Sequence, residues 1–139
     1  MNTRYSPLVK LKKSTMDKSE RVVQEKNAVL TKAENALKIS YTSLDEISQP
    51  NAGNINDLLA SRSLLTSQRG LIQHNKEWVG FAKEQLENAK IQFKNDMIDY
   101  EKFKYLEVQE IKKYENERKV KEAKELDEIA LMTFGKEYK

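Results

Sequence analysis

The chain has 139 residues with 25 basic and 22 acidic side chains, a net charge of +3 and no cysteine, which excludes disulfides and thiolate chemistry and fits a reducing cytoplasm. Charged residues make up 34%, against about 25% in ordinary soluble domains, while the 38% apolar fraction suits a narrow seam better than a broad interior. No apolar run approaches the ~20 residues of a bilayer span and no signal-type stretch opens the chain, so a soluble, cytoplasmic protein without membrane insertion is expected.

Gly (4) and Pro (2) are scarce, so the economical architecture places the apolar residues on helix stripes that face each other. Ser6–Pro7 is a helix start, with Ser as cap and Pro at the first helical position. Steps of seven then read Leu8, Thr15, Val22, Val29 and Ala36. The apolar set drifts by one to Leu37 and Leu44, with Leu11, Leu30, Ala33, Tyr41 and Ile47 alongside. Asp17–Arg21 and Glu34–Lys38 are spaced for i,i+4 ion pairs. Helix 1 is expected over about 7–48.

Gln49-Pro50-Asn51-Ala52-Gly53-Asn54 is turn chemistry, placing the turn at 49–54. Asn54 is a good N-cap, with Asp57 beside the positive helix end. Helix 2, expected over about 55–133, carries the strongest periodicity: Leu58, Leu65, Ile72, Val79, Leu86, Phe93 and Tyr100. Its companion row is weaker, with Gln68 and Asn75 before Ala82, Ala89 and Phe103. Gly70 and Gly80 each cost about 1 kcal/mol against Ala, so local bending is plausible there.

The expected fold is all-α, a single two-helix antiparallel coiled-coil hairpin over residues 1–139 with unequal arms. If both helices start from the turn, helix 1 has a partner only as far as about Tyr100, and helix 2 overhangs by roughly 35 residues. Glu115–Lys119 and Glu117–Lys121 are spaced to support the overhang.

Two stretches carry more apolar surface than one seam needs. Leu64, Leu71 and Trp78 form a second heptad stripe, with Tyr41 and Leu44 of helix 1 close in register. They read either as a widened core or as an exposed binding patch anchored by Trp78. In the tail, Leu126, Ile129, Ala130, Thr133 and Phe134 share one helix face beyond the paired region. That face reads as a partner-docking helix, or as one that folds back or dimerises.

Chemistry-bearing constellations are few. His74 is the single His, with no Cys to complete a metal site, and no phosphate loop or nucleophile elbow is present. Neither an enzyme nor a cofactor or metal is expected. The first 26 residues hold seven Lys/Arg and three Asp/Glu, and ten of each sign follow from Glu101. Such mixing is a solvated helix surface and not the one-signed field of a nucleic-acid groove.

Three segments resemble the flagellar export protein FliJ family of bacterial type III secretion. Tyr5-Ser6-Pro7-Leu8-Val9-Lys10-Leu11 is similar to its aromatic–x–Pro–Leu–x–x–Leu opening, and a Pro/Gly/Asn turn follows about fifty residues in. Lys124-Glu125-Leu126-Asp127-Glu128-Ile129-Ala130, with Phe134, resembles its Lys-Glu-Leu-Asp-Glu-Ile/Phe-Ala signature. The resemblance implies a non-catalytic coiled-coil stalk at the flagellar base, on the inner face of the cell membrane, serving flagellum biogenesis and motility. It implies that this stalk binds the hexameric export ATPase (FliI) and the export gate (FlhA), and helps recycle export chaperones. Carried onto matching positions, it places ATPase contact on Leu126, Asp127, Glu128, Ile129, Ala130 and Phe134. For the gate no motif matches; Tyr41, Leu44, Leu64, Leu71 and Trp78 are assigned from the excess stripe. The alternatives are an export chaperone or chaperone escort that grips substrates, and a purely structural, self-associating coiled coil.

Overall fold

The computed structural model describes residues 2–47 and 53–137, with side chains through Gly135. Two long helices pack antiparallel as an all-α hairpin: α1, Ser6–Glu46, and α2, Ile55–Glu137. Among the described residues no helix is long and apolar enough to cross a membrane. α1 closes at Glu46, two residues short of expectation, and α2 runs four residues past Thr133. The expected turn residues Gln49, Pro50, Asn51 and Ala52, and the expected end at Ser48, lie outside the described residues.

The helix starts are set by local hydrogen bonds. At α1 the cap is Thr3 and not Ser6. Tyr5 N donates to Thr3 Oγ1 at 3.1 Å while Thr3 N donates to Ser6 Oγ at 2.9 Å. This is a reciprocal capping box in which Ser6 stands where Glu or Gln is usual. At α2 the cap is Asn54 as expected, its Oδ1 accepting from Asp57 N at 3.0 Å. Gly53 lets Asp57 fold back, since a Cβ there would meet Asp57 Oδ2 at 2.9 Å.

Contacts divide the chain into one unit of residues 17–95 and another of 1–16 with 96–139. In the first, α1 presents Ser19, Val23, Lys26, Leu30, Ala33, Leu37, Ser40 and Leu44 inward, all buried or half-buried. These alternate three and four apart, a strict heptad seam. The expected row is therefore corrected by one place: Val22 and Val29 are exposed, and no drift occurs. Facing them, α2 buries Ile72, Asn75, Val79, Ala82, Leu86 and Ala89, the row read from the sequence. Ala33 meets Val79 and Ala82, and the small residues let the helices approach while Leu30, Leu37 and Trp78 pack around them.

A polar layer interrupts this seam. Asn75 Nδ2 donates to Ser40 Oγ and, at 3.4 Å, to the Ala36 carbonyl. Ser40 Oγ donates to the same carbonyl at 2.8 Å, and Gln68 Nε2 donates to the Ser40 carbonyl at 2.8 Å. A buried amide that finds partners in only one alignment fixes register. Ile55–Ala60 are all exposed, so the first expected seam residue, Leu58, is not in the seam.

In the second unit Val9 is buried, with Leu8 and Leu11 on the outside. Lys12 Nζ lies 3.7 Å from Asp99 Oδ2 and over the Phe103 ring, and Arg4 Nε reaches Glu110 Oε1 at 3.9 Å. Pairing thus extends ten residues beyond Tyr100, because residues 2–5 join it and α2 enters the seam later than its first turn.

None of the four expected i,i+4 ion pairs closes to 4 Å; Arg21 Nε donates instead to the Asp17 carbonyl at 3.4 Å. Exposed pairs gain too little to hold two long side chains in one geometry. Gly70 and Gly80 lie inside α2, and a Cβ at either would meet nothing within 4 Å. Gly70→Ala and Gly80→Ala are each expected to stabilise the hairpin by about 1 kcal/mol, read as a raised thermal-unfolding midpoint by circular dichroism.

Candidate protein-docking surfaces

Residues 2–5 meet α2 as far as Glu110, and the seam ends there. Phe103, Leu106, Glu107, Glu110 and Ile111 are half-buried, yet every residue from Lys112 to Gly135 is exposed. The positions that would continue the seam are Tyr114, Glu117, Lys121, Lys124 and Glu128, mostly charged and unable to line an apolar contact. What order this stretch has comes from within the helix, as in Arg118–Glu122 at 3.8 Å. The assigned Leu126, Asp127, Glu128, Ile129, Ala130 and Phe134 all lie on it, exposed together.

The tail's apolar surface is broader than the one face read from the sequence. Leu131 (72% exposed) and Met132 (65%) join Leu126 (66%) and Ile129 (59%). At about 100° per residue, the apolar side chains from Leu126 to Phe134 leave no gap wider than about 100° around the helix. Asp127 and Glu128 stand between these side chains, so a partner that covered the apolar ones on several sides would also have to meet two carboxylates.

The five residues assigned to the second surface do not come together. Leu64 and Leu71 are exposed, while Trp78 is partly buried against Ala33, Val79 and Ala82, as the widened-core reading has it. Leu44 is half-buried in the seam. Tyr41 lies under Lys76, whose Nζ is 5.7 Å from the ring centroid. Lys76 follows a seam residue where Leu71 and Trp78 precede one, so Tyr41 stands on the opposite flank. Phe81, 60% exposed, was missed; it lines one shallow groove with His74, Glu77 and Trp78. Its place three residues after Trp78 was the available signal.

The paired helices and the uncovered end of α2 define a class: a coiled-coil hairpin that offers helix faces to other proteins. The chain belongs to the flagellar FliJ family, whose model, described as flagellar FliJ protein, matches residues 1–139. This family is a non-catalytic component of type III export, which implies protein partners. Among solved structures the chain is similar to CT670, a YscO homolog from Chlamydia trachomatis. The two share 20% identity and a TM-score of 0.75, over 95% of this chain and 94% of that one. No curated protein sequence matches.

Proposed function

We propose that this protein is a stalk of the flagellar export apparatus that inserts the end of α2 into the hexameric export ATPase and promotes its activity. The observation that carries the reading is the tail segment Leu126–Met132, whose exposed apolar side chains Leu126, Ile129, Leu131 and Met132 point to several sides of a helix that is exposed at every described residue from Lys112 to Gly135. Such a segment is disfavoured in water and gains about 1.5–3 kcal/mol for each large side chain a partner covers. The family match supports a protein partner within the type III export apparatus, and the similarity of Lys124–Ala130 to the family signature favours this placement. On this reading the protein works at the cytoplasmic base of the flagellum.

The test removes everything after Lys113. The truncated protein is expected to keep the melting behaviour of the paired helices and to lose ATPase binding and stimulation. Undiminished stimulation would sink the tail assignment.

A second surface is supported by Leu64, Leu71 and Phe81, which stay exposed beside Trp78. It suits the export gate or an escorted chaperone. Changing these three to Glu is expected to abolish that contact while ATPase stimulation persists, the converse of the truncation.

A further inference from the structure

We propose that one flank of α2, carrying Arg62, Arg69, Lys76, Lys83 and Lys90, docks an acidic protein segment. The five cations lie seven residues apart, each directly after a seam residue, and all are exposed. At 1.5 Å per residue they form a row about 40 Å long with about 10 Å between charges.

Cations beside a coiled-coil seam are ordinarily met by carboxylates on the facing helix. Here, of the three described positions of α1 that face the row, only Glu34 is a carboxylate. α1 gives Lys76 the Tyr41 ring, and the matching positions one and two heptads earlier are Glu34 and Asn27. Glu87 is spaced to reach both Lys83 and Lys90 along α2, and pairs with neither. Among the described residues no carboxylate oxygen comes within 4 Å of any of the five. Elsewhere the chain closes such contacts, as in Lys12–Asp99 and Arg118–Glu122. Apart from Lys76 over Tyr41 the row makes no ion pair within the fold among the described residues, and its spacing exceeds the Debye length of about 8 Å, so it costs the fold little.

The occupant is a polypeptide because of the row's geometry and borders. A helix with carboxylates at heptad spacing repeats every ~10 Å and matches the row throughout. The phosphates of a duplex wind away from a straight row after a few contacts. A lipid surface calls for apolar side chains all along the cations, whereas this row borders Thr66, Gln73, Gly80 and Glu87, with exposed Leu59 only at its Arg62 end.

The experiment uses the full chain and a labelled synthetic helical peptide of roughly 30 residues with Glu along one face. The wild type is expected to bind it, more weakly as salt rises. The R62Q/R69Q/K76Q/K83Q/K90Q variant, unchanged in circular dichroism, is expected to lose at least about tenfold, since five exposed pairs are removed. The R62K/R69K variant should bind as the wild type does. Affinity that is independent of salt, a five-fold variant that binds undiminished, or tighter binding to duplex DNA or phosphatidylserine vesicles than to the peptide would each overturn the proposal.

Discussion

Asn75→Asp is expected to destabilise the paired helices by about 3 kcal/mol at neutral pH, although it exchanges one atom for another of the same size. Asn75 is buried (6% exposed), and its side-chain amide is the donor to both Ser40 Oγ and the Ala36 carbonyl. A carboxylate cannot donate and would face that carbonyl oxygen. The Ser40 hydroxyl can turn toward the new carboxylate only by giving up its own 2.8 Å bond to Ala36. Burial raises the folded-state pKa of the new acid above its unfolded value of about 3.9. The charge-dependent part of the loss is therefore complete above the folded pKa, shrinks as pH falls through it and is gone below about pH 4, leaving the smaller cost of one lost donor. Denaturant unfolding near pH 7 and near pH 4, each against wild type, checks this. A loss equal at both would show that the site is not desolvated. Asn75→Leu, which brings no charge into the seam, should cost far less.

The α2 seam was legible because one residue row from Leu65 to Tyr100 is apolar at every seventh step, while the adjacent row Leu64, Leu71 and Trp78 gives way to Gln85, Gln92 and Asp99. In α1 two adjacent rows compete, as Leu8/Val9, Val22/Val23 and Val29/Leu30 show. Only the row from Val9 runs through Met16, Val23, Leu30 and Leu37 to Leu44 without a polar residue, so the right choice was present in the sequence. It was masked by its partner row, Lys12, Ser19, Lys26, Ala33 and Ser40, where small or polar residues do the packing. Register was not legible, because a turn's length does not say where along α2 the seam begins. That is decided by the Ser40–Asn75–Gln68 layer, three residues that look like weak points until they are seen together.

The tail also exposes Leu131 and Met132, off the Leu126/Ile129 face, and this has a measurable consequence. Ile129 and Leu131 point about 160° apart around α2, and both are exposed. A groove would cover one and leave the other in water, so Glu would be tolerated at one of the two positions. A partner that encloses the helix would desolvate both. Ile129→Glu and Leu131→Glu are each expected to weaken binding to the export ATPase about 100-fold, since an uncompensated buried charge costs about 3 kcal/mol. Neither change touches the seam, which ends at Ile111, so the melting of the paired helices should be unaltered. Titration of both variants against the ATPase decides the matter. Wild-type affinity for Leu131→Glu would mean that the partner covers one face only, and the docking site would then be a groove beside the Leu126, Ile129 and Ala130 face.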